Sequence, residues 1–359
     1  MISHKHLEHF TKKVFLSLGI PDNVASIAAE NLVRADLRGI DSHGVARLSG
    51  FVRLIKAGRI NINAKPNIVY ETASTATLDG DAGLGLYVAN EAMKIAIQKA
   101  EICGSGWVAV KNSSHFGIAA SHAEIAIGYD MIGMAMTNAS PLVAPAGASE
   151  GYLGTNPICV AVPTGKYKPF ILDMATSAAA NGKLEIAQRK NAPIPSGWAQ
   201  TVDGKPTTNA HALKDKGSLL PLGSDVDHGY HKGYGLGSVV DILTGVLSGA
   251  NFGAWVPPFV HFLDVKQSVG EGIGHFVGAL KIDAFQPADE FKSRMDTWIE
   301  GVKNLRKNEG IDEILIPGEP EFRAEEYRLK YGVPLNDKVM QDLDSLAQEL
   351  VIDKLTVNS

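Results

Sequence analysis

The chain has 359 residues, 45% hydrophobic and 20% charged, with a formal net charge of -5 and a pI near 6.1. That length is enough for a large core in two domains, while the lack of a basic stretch argues against nucleic acid and no apolar run reaches the roughly 18 residues of a membrane span. The two cysteines, Cys103 and Cys159, support neither a disulfide framework nor a metal site, and with no signal-peptide core near Met1 a reduced, cytoplasmic protein is expected.

The first sixty residues read as helices. Pro21 and Asp22 suit the entry of a helix over 23–37, whose apolar positions Val24, Ile27, Ala28, Leu32 and Ala35 recur at helical spacing, with Gly39 as its stop. Asp41-Ser42-His43-Gly44-Val45-Ala46-Arg47-Leu48 comes next, and a second helical pattern runs over 45–54. If this stretch opens that helix, His43 and Arg47 share a face. An imidazole then sits beside a guanidinium, the side chain best able to grip a carboxylate with two parallel hydrogen bonds. A capped helix start with a surface Arg is the plainer alternative.

Strand patterns follow at 68–70 and 75–78, then a helix over 88–103 and a buried strand over 107–110. That strand runs into Asn112-Ser113-Ser114-His115-Phe116-Gly117, and a further helix reaches Ile127. His115 lies at a strand-to-helix junction, where an imidazole either shuttles a proton or caps the helix. Further strands fall at 132–136, 158–162 and 170–172. Asp173, at the end of the last, could accept ribose hydroxyls or cap a helix. Polar, weakly periodic residues 188–228 read as an extended loop with one short helix.

Lys232 opens a helical pattern over 234–247, and a cation at a helix start favours an anionic partner unless it is merely exposed. Strands return at 259–265 and 275–282. Two amphipathic helices end the chain, one marked by Phe291, Met295, Trp298, Ile299, Val302 and Leu305. The other is marked by Val339, Leu343, Leu346, Leu350 and Val351, with Asn336 as its cap. Helical ends around a strand-rich middle predict an α/β protein. Residues 1–70 and 285–359 form its helical domain and 71–284 its sheet domain.

Gly104-Ser105-Gly106-Trp107-Val108-Ala109 loosely matches a dinucleotide fingerprint, but it follows a helix and precedes a strand, the reverse of what pyrophosphate binding needs. The histidines at 4, 6 and 9, and His228 with His231, lack the spacing of a metal site, so no metal is expected. No Gly-x-Ser-x-Gly elbow occurs.

Seven segments, in order, resemble the malate/L-lactate dehydrogenase family. They are Arg34-Ala35-Asp36 through Arg47, Ser114-His115-Phe116-Gly117, Thr137-Asn138, Gly154-Thr155-Asn156-Pro157, Leu172-Asp173-Met174-Ala175, His231-Lys232-Gly233-Tyr234-Gly235 and Pro317-Gly318-Glu319. The family also holds ureidoglycolate, sulfolactate and diketogulonate dehydrogenases and cyclic imine reductases. The resemblance implies a mixed sheet of the sulfolactate-dehydrogenase-like type, not a Rossmann fold, with a helical domain built from the chain termini. It also implies a homodimer with the site near the subunit interface.

By that resemblance the reaction is hydride transfer between a nicotinamide cofactor, NAD with NADP as the alternative, and a small 2-hydroxy or 2-oxo acid, malate/oxaloacetate first. Reduction of a cyclic imine or another 2-oxo acid comes second, and a catalytically silent nucleotide sensor third. His115 would be the acid/base, and Ser42, His43 and Arg47 would line the substrate pocket, Arg47 on the carboxylate. Asn138 and Ala139, Asp173, Met174 and Ala175, Lys232, and Pro317, Gly318 and Glu319 would meet the cofactor. Phe51 stands where relatives commonly carry a Tyr, which removes one substrate hydrogen bond.

Overall fold

A computed structural model describes residues 1–356. The chain opens with α1 (His4–Ser17), α2 (Asp22–Leu37) and α3 (Leu48–Lys56). Leu48, Phe51, Val52, Leu54 and Ile55 of α3 recur on one face and are all buried. Complete burial of each large side chain is worth roughly 1.5–3 kcal/mol. The helix over 45–54 starts later than expected: Val45–Arg47 form a single 3-10 turn, so Ser42 and His43 sit in the irregular segment before it.

The middle of the chain alternates strands and helices: β1 (Asn67–Glu71), β2 (Thr75–Asp79), α4 (Gly85–Cys103), β3 (Ser105–Ser113), α5 (Ala120–Ala123), β4 (Met131–Thr137), β5 (Ile158–Val162), β6 (Phe170–Met174) and α6 (Asn181–Arg189). Then come β7 (Ala199–Gln200), β8 (Pro206–Thr207), β9 (Ser218–Leu219), α7 (Tyr230–Asp241), β10 (Ile273–Lys281), α8 (Ala288–Lys303), α9 (Glu319–Tyr331) and α10 (Asp337–Leu350).

Seven strands make one mixed sheet in the order β1-β2-β3-β10-β4-β5-β6. β10 lies antiparallel between β3 and β4, and β2 pairs parallel with β3. β5 is antiparallel to both β4 and β6. Consequently β2, β3, β4 and β6 all finish at the edge of the sheet where β5 and β10 begin. The segments after β3, β4 and β6, far apart in sequence, emerge side by side there.

Three cores hold the molecule. Helices α1 to α3 pack with α10 around Phe10, Phe15, Leu32, Leu48, Phe51, Leu343 and Leu346. The first residues are tied to the same layer, for Ile2 and Val333 exchange backbone hydrogen bonds at 2.9 and 2.8 Å. Asn336 caps α10 as expected, its side chain accepting from Val339 N at 2.9 Å. The sheet packs on α4 and α5 through Met93, Val108, Val110, Ala135 and Val277. A smaller cluster around Leu142, Leu184, Leu213 and Leu219 joins α6 to the small three-stranded sheet β8-β7-β9.

Three sequence expectations need correction. Residues 259–265 are irregular rather than a strand. Side chains take up the backbone where this segment begins, Arg59 Nη1 donating to Pro258 O at 3.0 Å and Arg53 to Phe259 O, while Phe259 N donates to Ser140 Oγ at 3.0 Å. The region 188–228 carries the three short strands and no short helix beyond the end of α6. Helix α9 was not foreseen, because it buries no side chain fully and so shows no apolar stripe.

Candidate functional site

Every segment that the sequence singles out around His115 reaches the strand-end edge or the helical layer facing it. The imidazole of His115 lies 4.7 Å, centroid to centroid, from the Phe259 ring and 5.9 Å from Phe51, and it stacks on His43 at 5.8 Å with 20° between planes. Phe259 approaches this closely because residue 50 is glycine: a Cβ there would stand 2.5 Å from the Phe259 ring. Gly117 N donates to His115 Nδ1 at 3.2 Å, which favours the neutral tautomer with its proton on Nε2. Burial, His43, Arg47 and His275 together push the His115 pKa well below the ordinary 6.5. His43 is lowered to about 4 by burial and by Arg47.

Ser42, His43 and Arg47 are brought together as expected. Ser42 Oγ and His43 Nδ1 lie 2.9 Å apart. Arg47 Nε donates to Ser42 O at 2.5 Å and Nη2 to Glu185 Oε2 at 3.1 Å. Nη1 has no hydrogen-bond partner among the described residues. The end of the guanidinium, Nη1 with the second hydrogen of Nη2, remains able to meet a carboxylate end on. Beneath this segment Asp36 is 1% exposed and accepts from Val45 N at 2.8 Å. Burial raises its pKa to about 8.

The expected cofactor residues divide into groups. Asp173, Pro317 and Gly318 line one cleft of about 310 Å³, together with Arg38, Ile40 and Ala120. Asp173 Oδ2 accepts from Ala120 N at 2.8 Å and its other oxygen has no partner among the described residues. The carboxylate therefore caps α5, across the cleft, and not the helix that follows it. Burial raises the Asp173 pKa to about 6. Met174 and Ala175 continue half-buried from β6 beside the cleft. Glu319 lies next to it, but its carboxylate is held by Lys303 Nζ at 2.7 Å and by Ile316 N at 2.9 Å.

Asn138 is 1% exposed and its side chain is satisfied internally, donating to Asn251 O at 2.7 Å and accepting from Gly274 N at 3.0 Å. The Asn138 backbone is used as well, its N donating to Gly274 O at 3.3 Å and its carbonyl accepting from Thr137 Oγ1 at 3.0 Å, so of this pair Ala139 is left to face a ligand. Lys232 is exposed on the first turn of α7, outside the cleft, with no carboxylate of the described residues in ion-pair reach.

Sequence reasoning passed over four residues that the fold places at this edge. His275, at the start of β10, bridges Thr137 Oγ1 and Ser113 Oγ at 2.8 Å each, which ties the end of β3 to the end of β4 beneath His115. Asn156 is fully buried, and its Oδ1 has no partner beside Gly154 and the Ala139 carbonyl. Phe259 covers His115, and Glu185 pairs with Arg47. The Gly154-Thr155-Asn156-Pro157 segment was the one signal available for any of these.

The whole chain has known counterparts. A family model described as malate/L-lactate dehydrogenase matches residues 2–344. Malate dehydrogenase of Pyrococcus abyssi is 46% identical over 357 residues, 99% of this chain and 96% of the relative. L-sulfolactate dehydrogenase of Methanocaldococcus jannaschii is 41% identical over 340 residues, 94% and 93% of the two chains. The solved structure of malate dehydrogenase from Pyrococcus horikoshii OT3 superposes with a TM-score of 0.90 at 41% identity, over 98% of this chain and 96% of that one.

Proposed function

From the premise that the chain belongs to the malate/L-lactate dehydrogenase family of oxidoreductases, we propose that it interconverts malate and oxaloacetate with NAD, as a cytoplasmic homodimer. The observation that carries the reading is the convergence of a half-buried imidazole and a carboxylate-matching guanidinium at one wall of the site, His115 stacked on His43 with the Arg47 charge close enough to lower both. A small 2-hydroxy acid has the two groups this wall addresses, a carboxylate and an oxygen that gains or loses a proton. Malate comes first among such acids because of the similarity to the two Pyrococcus malate dehydrogenases.

Arg47 holds the carboxylate with the Nη1 and Nη2 end of its guanidinium and so turns the neighbouring carbon and its oxygen toward His115. Orientation of this kind can supply several kcal/mol of a barrier. In the direction of oxo-acid reduction the proton comes from Nε2 of the transiently protonated His115 ring, which returns to neutral as the carbonyl oxygen takes the hydride's negative charge and becomes a hydroxyl. In the direction of oxidation the ring takes the hydroxyl proton on Nε2, which requires the other tautomer and releases the 3.2 Å contact from Gly117 N. Phe259 and Phe51 shield the ring from water and keep it neutral. The depressed His115 pKa thus comes from the same packing that closes the site.

The residues at the edge fit a nicotinamide dinucleotide. Asp173 offers one unpartnered carboxylate oxygen inside a cleft, suited to a ribose hydroxyl, and the buried Asn156 Oδ1 lacks a donor that a carboxamide N–H can supply. A second phosphate on that ribose would meet the Asp173 carboxylate with Glu321 close by, which favours NAD over NADP. The bound nicotinamide supplies the hydride acceptor or donor. Ala139, with Asn138 holding its loop in place, and Met174, Ala175, Lys232 and Glu319 complete the surround in this reading.

The dimer is supported by an exposed apolar row along α7 and the π-turn that continues it, Leu236, Val239, Ile242, Val246 and Leu247. The decisive experiment is a spectrophotometric panel of 2-oxo acids with NADH and NADPH. Oxaloacetate with NADH should give the highest kcat/KM. Cofactor binding without turnover of any acid would refute the enzyme reading, and preference for a cyclic imine would move the substrate.

A further inference from the structure

We propose that Glu185 is a resident carboxylate of the substrate clamp: it occupies Arg47 in the free protein and is exchanged for the carboxylate of the substrate. Helix α6 lies directly on the clamp. Residue 182 is glycine where a Cβ would stand 2.7 Å from Ser42 Cβ and 3.3 Å from Arg47 Nη2. This close approach sets Glu185, one turn further along, 3.1 Å from Arg47 Nη2. Asn181 Nδ2 donates to the other oxygen, Glu185 Oε1, at 2.8 Å. The pair is half-buried, with side-chain exposures of 17% for Arg47 and 27% for Glu185. Two clefts of about 300 and 440 Å³ meet at it, and each is lined by both partners.

Addition of a second carboxylate would leave two anions on one guanidinium, and like charges at such distances repel. Glu185 has an alternative. Arg189, one turn further along the same helix, already lies 3.9 Å from Glu185 Oε2 and is 41% exposed. Moving from Arg47 to Arg189 keeps the Glu185 charge paired while the incoming carboxylate takes its place. Ser42 O continues to hold Arg47 Nε, so the guanidinium stays where it is. Exchange makes substrate affinity a difference between two carboxylates.

This inference rests on the assignment of Arg47 to the substrate carboxylate, and it is tested apart from turnover. Oxalate carries carboxylates and has no hydroxyl to oxidise. Titrated calorimetrically into the full-length protein, it should bind Glu185→Gln up to about fivefold more tightly than the parent, the size of a half-exposed ion pair. Arg189→Gln should weaken oxalate binding in the parent and leave it unchanged in the Glu185→Gln background, since the alternative partner matters only while Glu185 is charged. Equal or weaker binding by Glu185→Gln, or no oxalate binding by either protein, overturns the exchange. Failure to oxidise malate while these oxalate results hold refutes the proposed reaction and leaves the exchange standing.

Discussion

Replacing Arg47 with lysine separates the shape of its side chain from its charge. In the structure the guanidinium makes two contacts at once, to Ser42 O at 2.5 Å and Glu185 Oε2 at 3.1 Å, with a further edge for substrate. A lysine ammonium is a single point charge on a flexible stem and cannot keep the Ser42 carbonyl while gripping a carboxylate with two parallel hydrogen bonds. One charge-assisted hydrogen bond, roughly 1.5–3 kcal/mol, is lost from the transition state. The expected fall in kcat/KM for the acid is about ten- to a hundredfold, with cofactor affinity changed by less than about twofold. The positive charge remains, so the pH profile should keep its parent shape. Arg47→Met, in contrast, removes a charge that lowers both His43 and His115, and should move the low-pH limb upward. Steady-state absorbance assays across pH would measure all of these. An unchanged kcat/KM in the lysine variant refutes the clamp.

His115→Ala should lower turnover by about a hundredfold or more while cofactor binding survives, and near-normal turnover across pH would remove His115 from the chemistry. Asp173→Asn should weaken NAD about tenfold in a fluorescence titration and NADP less, since it removes a charged acceptor; equal losses for both would refute the selectivity argument. Asp36 keeps its proton in the fold up to about pH 8, whereas the unfolded chain releases it near 3.8. Stability from this group is therefore full below the lower value and is lost as pH rises through the interval, by on the order of 4 kcal/mol near neutrality. Asp36→Asn can still accept from Val45 N, so its thermal-stability advantage over the parent should grow from acid toward pH 8; a constant offset would show that Asp36 ionises normally.

Periodicity revealed α2, α4, α10 and the central strands, because each buries one regular face. It failed where side chains far away decide the backbone. Residues 259–265 have the apolar character of a strand, yet Arg53, Arg59 and Ser140 take up the backbone groups at 258 and 259 and turn the Phe259 ring onto His115. Helix α9 starts from Gly318 in the left-handed region with Pro320 in its first turn, and these signals are local while its exposure hides any stripe. His43 and Arg47 do lie near one another, but not through the shared helix face their spacing suggested, since His43 sits in the irregular segment before the 3-10 turn. Their approach to His115 depends on packing between the helical layer and the sheet, and the Arg47–Glu185 pair joins residues 138 apart in the chain. Asn138 illustrates the converse: its place at the edge was legible, but its side chain serves the fold.

The helical layer also fixes the order in which the two sides of the site can mature as the polypeptide leaves the ribosome. The sheet has all seven strands once Lys281 has emerged, so the edge bearing His115 and Asp173 can assemble early. The layer that supports Arg47 cannot, because α3 and α1 are closed by Leu343, Leu346 and Ala347 of α10 and by the Ile2–Val333 pairing. The N-terminal helices are made first and completed last. A nascent chain halted before residue 333 would expose the apolar faces of α1 and α3 while its sheet is already formed, which makes this interval the one in which a chaperone would be needed.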